Sequence, residues 1–202
     1  MRVALFGGTF DPPHRGHLAI ARAAADAFHL DRVLFAPAGR QPLKAKNGAS
    51  AFADRVAMVE LACAADARFA VSLIDAPRAD GAPNYTVDAL AILRAGSPTA
   101  RLFNLVGADS FLHMRQWREP ERLLELAEWI VVSRPGFPLA SIEEMGWTQE
   151  QRARVHLLEG VHEDVAATSL RERLEAGASC IDVLPEAVAA YIQKHRLYRQ
   201  AG

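Results

Sequence analysis

The sequence predicts an α/β fold: a doubly wound parallel sheet with helices on both faces and a small helical part over about residues 160–202. Three observations lead there. Short apolar, β-branched runs alternate with Ala-rich stretches of helical period, the order expected of βαβ units. The runs are apolar almost throughout, as strands covered on both faces are. The first run ends in two glycines and a Gly/Pro loop that leads into a helical stretch, in keeping with a Rossmann-like sheet.

The elements follow in order. Residues 2–6 read as a buried strand that runs into a Gly/Pro loop. A helix is expected over 17–28 and a second short strand at 33–35. The helix expected over 50–64 has Phe52, Val56, Val59 and Cys63 on one side. A third strand is placed at 69–74, and a helix over 86–94 is stopped by Gly96 with Pro98 beyond it. Strands four to six are placed at 102–106, 129–133 and 155–158. The pattern then turns helical. One helix covers 169–176, opened by a Ser169–Glu172 capping box and closed by Gly177. Another covers 185–195, with Pro185 in its first turn. Segments 39–50 and 135–148 are loop-rich, the second with a short helix near 141–145.

Composition narrows the function. The 202 residues suit one domain with a small C-terminal extension. Lys plus Arg total 23 and Asp plus Glu 24, a net charge of -1. That balance argues against a nucleic-acid binder, which carries a basic face, and leaves room for a local pocket for a small phosphorylated ligand. Cys63 and Cys180 are far apart and form no CxxC, so neither a disulfide framework nor a zinc site is expected. Both read as buried free thiols in a reducing compartment. The opening MRVALFGG is too short for a signal-peptide core, and no apolar run reaches membrane-span length. A cytoplasmic location without membrane attachment is expected.

The strongest signal is Gly7-Gly8-Thr9-Phe10-Asp11-Pro12-Pro13-His14-Arg15-Gly16-His17. Glycines after a strand let the backbone approach a ligand. The helix that follows offers free N–H groups and positive potential, which suit phosphate. His14 and His17 are three apart, so a starting helical turn puts both imidazoles on one side. Two imidazoles there can donate to charge developing on a transferring phosphoryl group, with no covalent intermediate. A lone Gly-Gly is often a plain turn, and a His pair is often a surface or metal pair. No third metal ligand is apparent, however, and the combination with Phe-Asp-Pro has no structural explanation. GxGxxG and GxxxxGK(S/T) are absent, which argues against a nicotinamide-dependent oxidoreductase and a Walker-type ATPase.

GGTFDPPHRGH resembles the signature of the HxGH nucleotidyltransferases, and its Gly-Gly and Pro-Pro-His form is similar to that of the nicotinate-nucleotide adenylyltransferases. The resemblance runs over nearly the whole chain and implies one nucleotidyltransferase domain over 1–202. It implies transfer of AMP from ATP to nicotinate mononucleotide, with Mg²⁺ accompanying ATP and no dedicated metal cage. His14 and His17 take the catalytic role, and Gly7, Gly8, Thr9 and Phe10 line the nucleotide site. Gln41-Pro42-Leu43-Lys44 stands where the family reads Pro-Pro-His-Lys, leaving Lys44 as a phosphate partner. Asn84-Tyr85-Thr86-Val87-Asp88 resembles the element that holds the nicotinate carboxylate, with Tyr85 and Thr86 as its candidates and Asp88 as a helper at the turn. Gly107-Ala108-Asp109 with Trp117 resembles an element in which Gly107 and Asp109 belong to the ATP site, Asp109 accepting from a ribose, and Trp117 stacks on the pyridine ring. Arg134 of Ser-Arg-Pro-Gly is a phosphate ligand. Thr168, Ser169 and Arg171 match a phosphate-holding helix start, although Ala166 and Ala167 replace the usual serines. The C-terminal stretch through Tyr191 to Tyr198 reads as structural. Another transferase of the superfamily and a non-catalytic nucleotide sensor are the rival readings. Acid or amide preference and oligomeric state stay open.

Overall fold

The computed structural model describes residues 1–39, 49–133, 145–161 and 167–198. Strand β1 (Arg2–Gly8) lies centrally, between β2 (Arg32–Pro37) and β4 (Arg101–Gly107). Strand β3 (Phe69–Val71) flanks β2, while β5 (Glu128–Val132) and β6 (Val155–Leu158) extend beyond β4. All pairings are parallel, in the order β3-β2-β1-β4-β5-β6. The chain winds outward from β1 to β3 and then crosses back to β4. The strand order therefore reverses between β1 and β4, the place where open sheets of this kind take ligands, outside the carboxyl ends of their strands.

Alternation along each strand divides the core. Ala4, Phe6, Val33, Phe35, Phe103, Leu105, Ile130 and Val132 face one side. Helices α1 (Arg15–Ala27), α2 (Phe52–Cys63), α7 (Ala167–Glu175) and α8 (Glu186–His195) cover that side through Leu18, Met58, Leu170 and Val188. Val3, Leu5, Leu102, Trp129 and Val131 face the other. There α3 (Thr86–Gly96) and α5 (Pro120–Leu126) pack, with the short α4 (Ala108–Phe111) and a 3-10 turn (Met114–Gln116) between. A further short helix, α6 (Gln149–Arg152), precedes β6 and is capped by Thr148. Among the described residues no helix is long and apolar enough to cross a membrane. Both cysteines are buried and free, and burial pushes the Cys63 thiol up to about 12.

Several boundaries differ from the sequence expectation. β3 stops at Val71, three residues short of the expected end, because the Ser72 hydroxyl accepts from Ile74 N (3.4 Å) and turns the chain off the sheet. The Ser169–Glu172 capping box does not form: α7 is already helical at Ala167, so Ser169 sits inside its first turn. Pro185 is the cap residue of α8, not part of its first turn. α4, α5 and α6 were not expected; α5 opens with Pro120 after Glu119 in the left-handed region (φ 51°). The expected helix near 141–145 lies outside the described residues.

One backbone-to-carboxylate bond and two sets of charge pairs line the amino edge of the sheet. Arg2 N donates to Asp31 (2.6 Å) between β1 and β2. Arg101 grips Glu128 with two bonds (2.6 and 2.7 Å), and His156 Nε2 lies 2.6 Å from the same carboxylate. Arg68 bonds both Asp66 (2.8 Å) and Asp26 (2.6 Å), tying the start of β3 to the end of α1. Those bonds from Arg68 hold the Asp66 carboxyl down at about 2.

The unfolded carboxyl titrates near 3.9, so Asp66 stabilises the fold above about pH 4, and this is lost as pH falls toward 2. Asp66→Asn is expected to destabilise by about 1 kcal/mol at pH 7, after allowance for solvent screening. The difference between the two proteins' thermal melts should vanish as the pH approaches 2. A deficit that stays constant with pH would reject the ion pair as its source.

Candidate active site

The two glycines end β1 with different surroundings. A Cβ on Gly8 would lie 2.9 Å from the Phe10 ring, whereas one on Gly7 would meet nothing within 4 Å. Gly7 is exposed, so its backbone is open to an approaching ligand. Phe10 turns beneath the loop in the left-handed region (φ 49°), and its buried ring meets Phe6 edge-on at 5.5 Å and His17 at 5.0 Å. His14 caps α1 in extended conformation and His17 is the third residue of the helix. The two rings lie 3.7 Å apart, centroid to centroid, tilted by 31°. His14 N donates to His17 Nδ1 (3.2 Å). Nδ1 of His17 is thus an acceptor, and geometry assigns the ring's N–H donor to Nε2.

Groups missed in the sequence hold this loop from behind. Asp11 is buried, with its carboxylate accepting from Ser50 N (3.1 Å) and from the Tyr198 hydroxyl. Its main-chain carbonyl accepts from Arg171 Nη1 (3.0 Å). Arg55, also buried, donates to the carbonyls of Thr9 (2.8 Å) and Ser50 (3.2 Å). Burial pulls the Arg55 pKa below its ordinary value, while the negative charge of Asp11 opposes the fall. Arg15 N, opening α1, donates to Val183 O (2.8 Å). The only sequence signal for Arg55 was a charge on the Phe52–Val59 side of a helix; nothing flagged its loop contacts.

The remaining expected residues fall around the same edge. Gly107 ends β4, next to β1, and Asp109 lies in the first turn of α4; both are half-buried. Tyr85 caps α3 and Thr86 begins it, as expected. The Arg118 guanidinium sits 4.8 Å over the Tyr85 ring and 4.0 Å from Asp88. Trp117 is half-buried and meets Trp129 edge-on at 5.9 Å, so its ring also serves the second core. Thr168 and Ser169 are exposed in the first turn of α7. Arg171 turns inward, bonding the Thr168 hydroxyl (3.2 Å) as well as the Asp11 carbonyl. Lys44 and Arg134 lie outside the described residues, as do Leu43 and Ala166.

Two crossover loops meet beside this edge. Ala38 N donates to Gly8 O (2.8 Å), and Gly39 N donates to Asp75 O (2.7 Å). A Cβ on Gly39 would lie 2.5 Å from Pro77 N, so only glycine permits the contact. Asn84 Nδ2 donates to Ala76 O (2.9 Å), which carries the contact to the start of α3. Burial pushes the nearby Asp75 carboxyl up to about 6. Among the described residues no group of three or more His, Cys, Asp or Glu forms a metal site. An open glycine backbone, a helix start and paired imidazoles at a strand-order reversal suit a polyphosphate and the charge shifts of its transfer.

The chain matches the model of the cytidylyltransferase-like family over residues 5–174. It is 41% identical over 199 residues to a "probable nicotinate-nucleotide adenylyltransferase" of Gloeobacter violaceus, covering 98% of this chain and 96% of that one. A protein of the same description from Neisseria gonorrhoeae is 43% identical over 203 residues, covering 98% and 99%. Among solved structures, nicotinic acid mononucleotide adenylyltransferase of Plasmodium falciparum complexed with NaAD superposes with a TM-score of 0.74 at 16% identity, over 98% of this chain and 97% of that one. That likeness concerns the fold.

The two glycines should respond differently to a methyl group. The Phe10 ring is confined by Phe6, Phe35 and His17 and has nowhere to move. Gly8→Ala is expected to destabilise by about 1–3 kcal/mol through overpacking. Gly7→Ala should stay within about 1 kcal/mol of the parent, since its Cβ meets only open space. Denaturant unfolding of the pair checks this, and equal stability of the two variants would refute the packing argument.

Proposed function

The chain belongs to the nicotinate-nucleotide adenylyltransferases, and on that premise we propose that the carboxyl edge of β1 and β4 is where it joins that family's two substrates. The chain is a nucleotidyltransferase. It transfers AMP from ATP to nicotinate mononucleotide, giving deamido-NAD and pyrophosphate, a step of NAD biosynthesis. Soluble nucleotide substrates suit a cytoplasmic enzyme.

In this reading the ATP phosphates lie over the Gly7–Thr9 backbone, beside His14 and His17. Thr168, Ser169 and Arg171 approach from α7, with Lys44 and Arg134 as further phosphate ligands. Tyr85 and Thr86 at the start of α3 receive the nicotinate carboxylate, Trp117 the pyridine ring and Asp109 a ribose. A 5′-phosphate oxygen of the mononucleotide attacks the α-phosphorus in line. The bond from that phosphorus to the bridging oxygen breaks, and pyrophosphate leaves with the electron pair. The chain's contribution is positioning and charge stabilisation: the Nε2–H of His17 donates to the phosphoryl oxygens as their charge grows. A divalent cation such as Mg²⁺, bound with ATP, would supply charge neutralisation on the phosphates. Such an ion usually keeps several waters and needs few protein ligands.

The observation that carries this reading is the imidazole pair, 3.7 Å apart at the start of α1, beside an open glycine backbone. His17→Ala is expected to cut kcat by about 100-fold or more with an unchanged circular dichroism spectrum. Pyrophosphate release from ATP and Mg²⁺ should depend on the acceptor, and nicotinate mononucleotide should be used faster than the nicotinamide form. Near-parental turnover by the variant, or release indifferent to the acceptor, would overturn the assignment.

A further inference from the structure

We infer that Tyr198 is a positioning residue for adenylyl transfer: through Asp11, its hydroxyl fixes the loop that carries His14. The inference rests on the adenylyl-transfer reading and extends it to a part of the chain beyond residues 5–174, the span matched by the family model. Asp11 and Tyr198 are separated by 187 positions, yet the phenol reaches the buried carboxylate.

The segment after α8 is bent to achieve this. Arg196 (φ 53°) and Tyr198 (φ 60°) both adopt the left-handed region, which L side chains as large as these rarely occupy. Two such residues within three turn the ring back against the core, where it packs with the first-face cluster. Burial, first, and the bond to Asp11 raise the phenol's pKa, so it stays protonated and donates. Without it the Asp11 carboxylate keeps the Ser50 amide as its donor and loses the one from the C-terminal segment. The C-terminal elements as a whole make two more ties to the motif: Arg171, still inside the matched span, to the Asp11 carbonyl, and Arg15 N to Val183 O. Three contacts therefore converge on residues 11–15 from the C-terminal elements.

A second tyrosine supplies the control. Tyr191 donates to Asp54 (2.9 Å), joining α8 to α2 without touching the motif loop. Tyr198→Phe is expected to lower kcat about tenfold, as a small misplacement of catalytic groups does, with KM for both substrates within about threefold. It should also shift the imidazole NMR signals of His14 and His17. Tyr191→Phe should lower the melting temperature yet leave kcat within about twofold and those signals in place, because it loosens the helix alone. An active parent with a fully active Tyr198→Phe, or unmoved imidazole signals in that variant, overturns the inference. So does loss of kcat by both variants in proportion to their loss of stability. A parent that shows no acceptor-dependent turnover defeats the adenylyl-transfer reading instead, and the imidazole signals still decide whether Tyr198 sets the loop.

Discussion

A carboxylate withdrawn from water dictates the shape of the loop that carries His14 and leads to His17. Asp11 is 2% exposed, and an ionised carboxylate in such a place is tolerated only where donors surround it. Its donors come from three separate stretches: the Ser50 amide before α2, the Tyr198 phenol after α8, and Arg171 of α7 on the adjoining carbonyl. Arg55 contributes a buried positive charge and holds Thr9, two positions earlier. A loop fixed from so many directions has little freedom of its own. That rigidity is what placing two imidazoles against a reacting phosphate demands.

The sheet decides where this loop is presented. β1 is central, and its carboxyl end borders β4, where the winding direction changes. The histidines belong to the face covered by α1, α2 and α8, while Tyr85 and Trp117 pack on the face covered by α3 and α5. Two ligands held on opposite faces would meet over the edge between the strands. The contact between Gly39 and Asp75 joins the loops after β2 and β3 along the same edge and leads, through Asn84, to the head of α3.

Local signals made much of this legible. The apolar runs were long enough to reveal six strands, and the His14–His17 spacing anticipated the ring pair, because the cap residue and the third residue of a helix share one side. What depends on distant partners was hidden. Tyr198 looked like the tail of a structural helix, since its partner lies 187 positions away. Arg55 gave no sign of its partners, although its buried guanidinium donates to two loop carbonyls. Ser169 and Glu172 fit a capping pattern that the helix preempted by starting earlier, at Ala167. α5 escaped notice because a charged, proline-led stretch gives a weak periodic signal, and a left-handed Glu119 aims it.

The row of charge pairs at the amino edge has an implication for how such a chain can change. Arg68–Asp66 and Arg101–Glu128 both sit where strands begin, a full strand length from the His14–His17 loop. Robustness and reactivity thus occupy opposite rims of one sheet. A lineage adapting to heat or acid can rewrite the first rim residue by residue while the second stays as it is, so tolerance and turnover can evolve along nearly independent axes.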